Sequence, residues 1–280
     1  DSGSSRGLGD VYKRQVPALI IKLIAQNEIG QVDFKQIFSY LIMQSICGII
    51  AYLITSKYFK RSIPESIIWA LTVALSNHVT LLLPITEIYF QQNVITQVAS
   101  IILMDGIILL SVIAFFLELS TKKNVNLFNF IKNLFLNPFI LSIIIGLLFL
   151  LLNFNIDQTP IEYTLSKLAA CVSPVGLFAI GIILSFYTKN VINKLSVSIS
   201  VLKLVISPII LLLIGLVIFN AGLPAEIPGA FFVSVAPCGV TSIVLCAAYN
   251  VSPENIIKAI FVSTIASIGT IFFAIKYLTL

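Results

Sequence analysis

The sequence has 280 residues, of which 58% are hydrophobic and only 10% charged, with a mean hydropathy of +1.05. A soluble domain of that length needs far more charged surface, so this composition excludes one and makes the bilayer the solvent. The net charge of +5 is not a nucleic-acid signal, because the basic residues fall in short stretches between apolar runs.

Residues 1–15, DSGSSRGLGDVYKRQ, are polar and stop abruptly at VPALIIKLIA. They lack the apolar core of a signal peptide. They read as a non-native, adapter-like segment, and this reading predicts a missing first helix. The rest, 16–280, reads as one membrane domain: a partial span at 16–25 and eight full spans at 37–56, 66–89, 95–117, 133–153, 165–187, 196–219, 227–248 and 256–277. Alternate connections hold Lys57, Lys60, Arg61, Lys122, Lys123, Lys132, Lys189, Lys194 and Lys258 on one side, against Lys35, Lys167 and Lys276 on the other. The positive-inside rule makes the first set cytoplasmic and the C-terminus external, in a multi-pass protein of the cytoplasmic membrane.

Prolines hint at a repeat. Pro17 and Pro84 are 67 residues apart, and Pro174 and Pro237 are 63 apart. A five-helix unit would place 16–118 in a first repeat, lacking its first helix, and 133–280 in a second. An odd unit inverts in the membrane, as in many secondary transporters. The bland alternative is that membrane helices carry prolines often.

The stretch ALSNHVTLLLPI, residues 74–85, sets Ser76, Asn77, His78 and Thr80 ahead of Pro84 at mid-span. Proline removes a backbone donor and clashes with the preceding turn, and the polar residues can replace the lost bonds. APCGVTSIVLC supplies Pro237, Gly239, Thr241 and Ser242 in the second half. Two discontinuous helices crossing at the midplane would point half-helix N-termini at an anion. Each break alone also fits a simple proline kink.

Asp105 sits mid-span in IILMDGIILL, where an unpaired carboxylate is costly. It is either a coupling acid or the structural partner of a buried cation. Lys203, two turns inside its span, either snorkels to the interface or faces the cavity and pairs with Asp105 or substrate. Histidine exchanges protons near neutral pH, so His78 is a candidate relay; the alternative is a hydrogen-bonded packing residue. Asn137, before Pro138, reads as an N-cap. The four cysteines lie in apolar runs and read as small buried side chains; with one histidine they form no metal site. No hydrolase, metalloprotease or nucleotide-binding motif is present, so neither an enzyme nor a cofactor is expected.

Taken in order, VPALIIKLIA, ALSNHVTLLLPI, the Asp105-Gly106 pair, NPFILSIIIGLL, SPVGLFAIGIILS, LKLVISPIILLL and APCGVTSIVLCAAYNVSPE make the chain resemble the auxin efflux carrier family over 16–280. The resemblance implies an all-α polytopic fold of five plus five inverted helices with crossing broken helices. It also implies homodimers and elevator-like movement of organic anions such as auxin, malate or malonate. The pattern departs from the family in four places. Ser-Asn-Thr-Gly is here Ser76-Asn77-His78-Val79, the glycine two residues before the first proline is Leu82, Asp-Asn is Asp105-Gly106, and an Asn four residues after the second proline is Thr241. The expected function is secondary transport of a small carboxylate. The binding residues are Ser76, Asn77, His78, Pro84, Pro237, Thr241 and Ser242, with Asp105 and Lys203 for coupling to a proton or sodium. The rival readings are a sodium-coupled carrier of the bile-acid type and a non-transporting membrane sensor or scaffold.

Overall fold

The computed structural model describes residues 9, 11–26, 33–121, 127–152, 154–187, 191–220 and 222–279. Lys122, Lys123 and Lys189 of the charge pattern lie outside the described residues, as do positions 1–8 and 10 of the leading segment. The fold is all-α and polytopic, with no strand among the described residues beyond one isolated bridge.

Five helical runs are long and apolar enough to cross a membrane: Phe34–Tyr58, Gln92–Thr121, Pro160–Ser185, Lys194–Phe219 and Glu254–Leu278. Helix α1 (Val16–Ala25) continues a π-helical turn, Val11–Gln15, so the helical path begins ahead of the compositional boundary, with Val11 buried. Helix α2 (Phe34–Leu53) starts at Asp33, whose side chain accepts from Lys35 N. Helix α3 (Ile63–Ala74) starts at Ser62, which caps Glu65 N, with Pro64 in its first turn.

Three predicted spans, 66–89, 133–153 and 227–248, are not continuous helices. Span 66–89 is α3, an extended break at Leu75–Asn77, a π-helical turn His78–Leu82, and α4 (Leu83–Tyr89). Span 133–153 is two pieces, α7 (Leu127–Phe135) and α8 (Pro138–Leu151). Asn137 Oδ1 accepts from Phe139 N at 2.9 Å, and Pro138 cannot donate back, so a new helix starts there as the N-cap reading expects. Between them lie α5 (Gln92–Met104), a π-helical turn Asp105–Leu109 and α6 (Leu110–Thr121).

In the second half, α9 (Pro160–Ala170) and α10 (Val172–Ser185) meet at a bend at Cys171. Helix α11 (Lys194–Val201) runs through a π-helical turn, Leu202–Ile206, into α12 (Ser207–Phe219). Span 227–248 is α13 (Pro228–Ser234) and α14 (Thr241–Ala248), and α15 (Glu254–Leu278) closes the bundle. Helix α1 packs mainly on α8, α2 on α3 and α12, and α11 on α15. Three cysteines are buried as expected. Cys171 is exposed instead, because the α9–α10 bend turns it to a face that no neighbouring helix covers among the described residues.

Three of the π-helical turns share a cause. Pro17, Pro84 and Pro208 each stand two residues after one, so the carbonyl four residues back lies inside the widened turn and escapes the ring. The turn at Asp105 has no such proline; there the Phe139 ring lies against Gly106.

Candidate functional site

The two breaks cross. Ser76 and Cys238 form an antiparallel bridge, with Asn77 N donating to the Pro237 carbonyl at 3.0 Å. Gly239 N donates to the Thr72 carbonyl at 3.2 Å. A Cβ on Gly239 would sit 2.7 Å from the Leu75 carbonyl oxygen, so only glycine lets the two backbones come this close.

Backbone groups freed by the breaks find partners, as a membrane interior demands. Cys238 N donates to Ser263 Oγ at 3.2 Å, and Thr270 Oγ1 donates to the Val235 carbonyl at 2.8 Å, both from α15. The first N–H groups of α13 are capped from elsewhere: Gly229 N donates to Gln97 Oε1 and Ala230 N to Gln36 Oε1, each at 3.1 Å. At the end of α3, Lys203 Nζ donates to the Val73 carbonyl at 2.9 Å. A cation at a helix C-terminus meets the negative end of its dipole.

Lys203 is fully buried, so it does not snorkel. Nor is it paired with Asp105: its ammonium is held by Val73 and by Ser76 Oγ at 2.8 Å. Ser76 Oγ donates to the Val233 carbonyl at 2.9 Å, which uses its single hydrogen. Tyr40 OH, 3.0 Å from the same oxygen, is therefore the donor of that pair. Ser76 thus gathers a lysine, a tyrosine and the end of α13 at the crossing.

Asp105 is paired with His78: Nε2 lies 2.9 Å from Oδ2, and both residues are buried. Asp105 Oδ1 and His78 Nδ1 have no hydrogen-bond partner among the described residues. Asn77 Oδ1 accepts from Thr80 Oγ1. Asn77, His78, Asp105 and Thr241 line one cavity, closed over by Phe139 and Gly106. Its volume is about 20 Å³, the size of one water molecule. The open cavity expected at the midplane is therefore nearly shut here.

Two predicted site residues stand elsewhere. Pro84 does not make the first break, which comes seven residues earlier; it widens the turn that starts at His78, and so is not the counterpart of Pro237, which lies inside its break. Ser242 Oγ donates to the Gly239 carbonyl at 2.8 Å, so its hydroxyl stabilises the break from behind. Tyr40 and Phe139 are the residues that the sequence reading missed. Tyr40 lies in no polar run or proline break, and Phe139, next to Pro138, reads only as part of a helix start.

A larger cavity, about 670 Å³, lies between α2, α3 and α6. Ile49, Tyr52, Ile67, Val112 and Phe116 line it, with few polar groups. The ionisable side chains converge on the crossing instead, and we place the candidate site there.

The sequence model of the membrane transport protein family matches residues 11–275. The chain belongs to this family. That agrees with the auxin efflux carrier resemblance and makes the protein a multi-pass membrane transporter. No curated protein sequence matches the chain. In this transporter, His78, Asp105 and Lys203 each occupy the first or second position of a π-helical turn. Such turns add a residue to a helix and recur at functional sites.

Proposed function

We propose that this membrane transporter is a secondary active carrier of a small organic anion, a carboxylate such as malate, malonate or an auxin-like weak acid. The observation that carries the reading is the crossing itself. Two broken helices meet there around three buried ionisable side chains, Lys203, His78 and Asp105. Ionisable groups at that depth are retained for transport or coupling far more often than for packing. Ser76, Asn77 and Thr241 supply hydrogen-bonding groups beside them.

On this reading the crossing is seen closed. A cavity the size of one water holds no dicarboxylate, so the substrate enters when the broken helices part and Phe139 leaves Gly106. Residues 16–118 and 133–280 act as inverted repeats, a reading that the antiparallel bridge supports. The excess of Lys and Arg in alternate connections supports a C-terminus outside the cytoplasmic membrane.

Uptake of labelled malate, malonate and indole-3-acetate into liposomes containing the purified protein tests the reading. Saturable uptake driven by a pH gradient is the expected result. Uptake that needs sodium replaces the proton by a sodium ion. Binding without flux of any anion overturns the carrier.

A further inference from the structure

The charges at the crossing balance only in one state. Lys203 and Asp105 are both buried and of opposite sign, so with the His78 ring neutral the three side chains carry no net charge. With Asp105 ionised, its oxygens only accept, so His78 Nε2 is the donor at 2.9 Å and Nδ1 carries the lone pair. Nδ1 has no partner among the described residues, and His78 lines the cavity. An anion arriving there adds a negative charge to a site that is neutral before it comes. An uncompensated charge in a dry membrane interior is strongly disfavoured.

We propose that the His78–Asp105 pair is a proton site that loads together with the anion: one proton enters on His78 Nδ1 for each carboxylate bound. The inference rests on the carrier reading above and names its coupling step. The proton leaves water on one side, occupies the Nδ1 lone pair, and returns to water on the other side as the anion is released. Asp105 stays ionised throughout and acts as a positioning residue, holding Nε2–H so that Nδ1 faces the load. A monocarboxylate then crosses without net charge movement, and a dicarboxylate carries one negative charge across.

The surroundings leave His78 as the variable group. The α5 run brings Asp105 to its turn, the facing length of α10 carries no titratable side chain, and α4 carries Glu87 and Tyr89 at its exposed end. Lys203 and Tyr40 both reach Ser76, two residues from His78, and Cys238 bridges to it from the other break.

The chain has a single histidine. Protein labelled with ¹⁵N-histidine, purified by a tag without histidine and placed in nanodiscs, therefore reports this one ring. At pH 8 the Nε2–H tautomer is expected, turning to the doubly protonated ring when saturating indole-3-acetate is added. Asp105→Asn should give a mixture of tautomers. In liposomes, accumulation of indole-3-acetate above its passive entry into protein-free liposomes should rise about tenfold per pH unit of inward proton gradient, as one proton per anion requires. It should ignore an imposed potassium diffusion potential, whereas malonate uptake should follow it. His78→Gln should lose the response to the proton gradient. A ring that stays neutral with anion bound overturns the proposal even where flux is robust, and the carrier reading then survives alone. A ring that protonates with the anion in a protein without flux supports the proton site and removes the carrier. The spectrum needs no substitution, so a misfolded variant cannot blunt the test.

Discussion

Lys203 Nζ lies 2.8 Å from Ser76 Oγ and 2.9 Å from the Val73 carbonyl, so one buried ammonium ties the α11–α12 run to the broken end of α3. Ser76→Ala removes one acceptor from a fully buried charge. A hydrogen bond to a charged group contributes about 1.5–3 kcal/mol, and that loss of stability is expected. Lys203→Met removes the charge with its partner bonds, and the double variant should lose clearly less than the sum of the two singles. Thermal unfolding in detergent, followed through the buried Trp69, measures the cycle. Additive losses would mean that the contact carries no coupling.

Gly239→Ala places a methyl 2.7 Å from a backbone oxygen that no side-chain rotation can move. Overpacking of this kind costs about 1–3 kcal/mol, and the bridge between the breaks should loosen with it. Gly269→Ala is the matched control: it lies in α15 with no atom within 4 Å of the new methyl. The control should unfold at or slightly above the parent temperature. Equal behaviour of the two variants would show that the close approach at the crossing is not tight.

Phe139 and Gly106 occupy one space. A Cβ at position 106 would fall 1.5 Å from the Phe139 ring. Gly106→Ala alone should therefore destabilise, and adding Phe139→Ala should restore most of the loss. Phe139→Ala alone should widen the cavity beside Asp105 and admit a bulkier anion. Unfolding temperatures of the three variants and competition uptake with a branched carboxylate check both parts.

Asn137→Ala removes the cap of α8 and should lower stability by about 0.5–2 kcal/mol without touching the crossing. Asn137→Asp, which keeps the acceptor, should recover it. Unfolding midpoints of the pair decide the matter.

The fold was largely legible because bilayer thickness imposes a length on every apolar run, and capping residues mark where runs begin. Asn137 and Pro138 mark a helix start in the sequence and mark it in the structure. Legibility fell where tertiary contacts decide. The first break lies at Ser76 because the second break pairs with it, whereas Pro84 draws the eye to the wrong turn. Asp105 was conspicuous as a lone acid, but its partner comes from another helix, and nothing in either segment says that His78 rather than Lys203 reaches it. Tyr40 looks like an ordinary apolar residue until its hydroxyl meets Ser76. Phe139 is silent for the same reason: its role depends on an absent side chain at position 106.

The widened turns at His78, Asp105 and Lys203 have a geometric consequence. Each carries one residue more than an α-helix of the same rise, and one residue corresponds to about 100° of rotation and 1.5 Å of travel. Passing that surplus one position along the chain turns one end of the helix against the other while nearly all backbone bonds persist. The three charged or titratable residues therefore sit on built-in swivels. Removing a single residue from any of these turns would lock its swivel and rotate the side chain away from its partner, although the span would keep its length and its hydropathy.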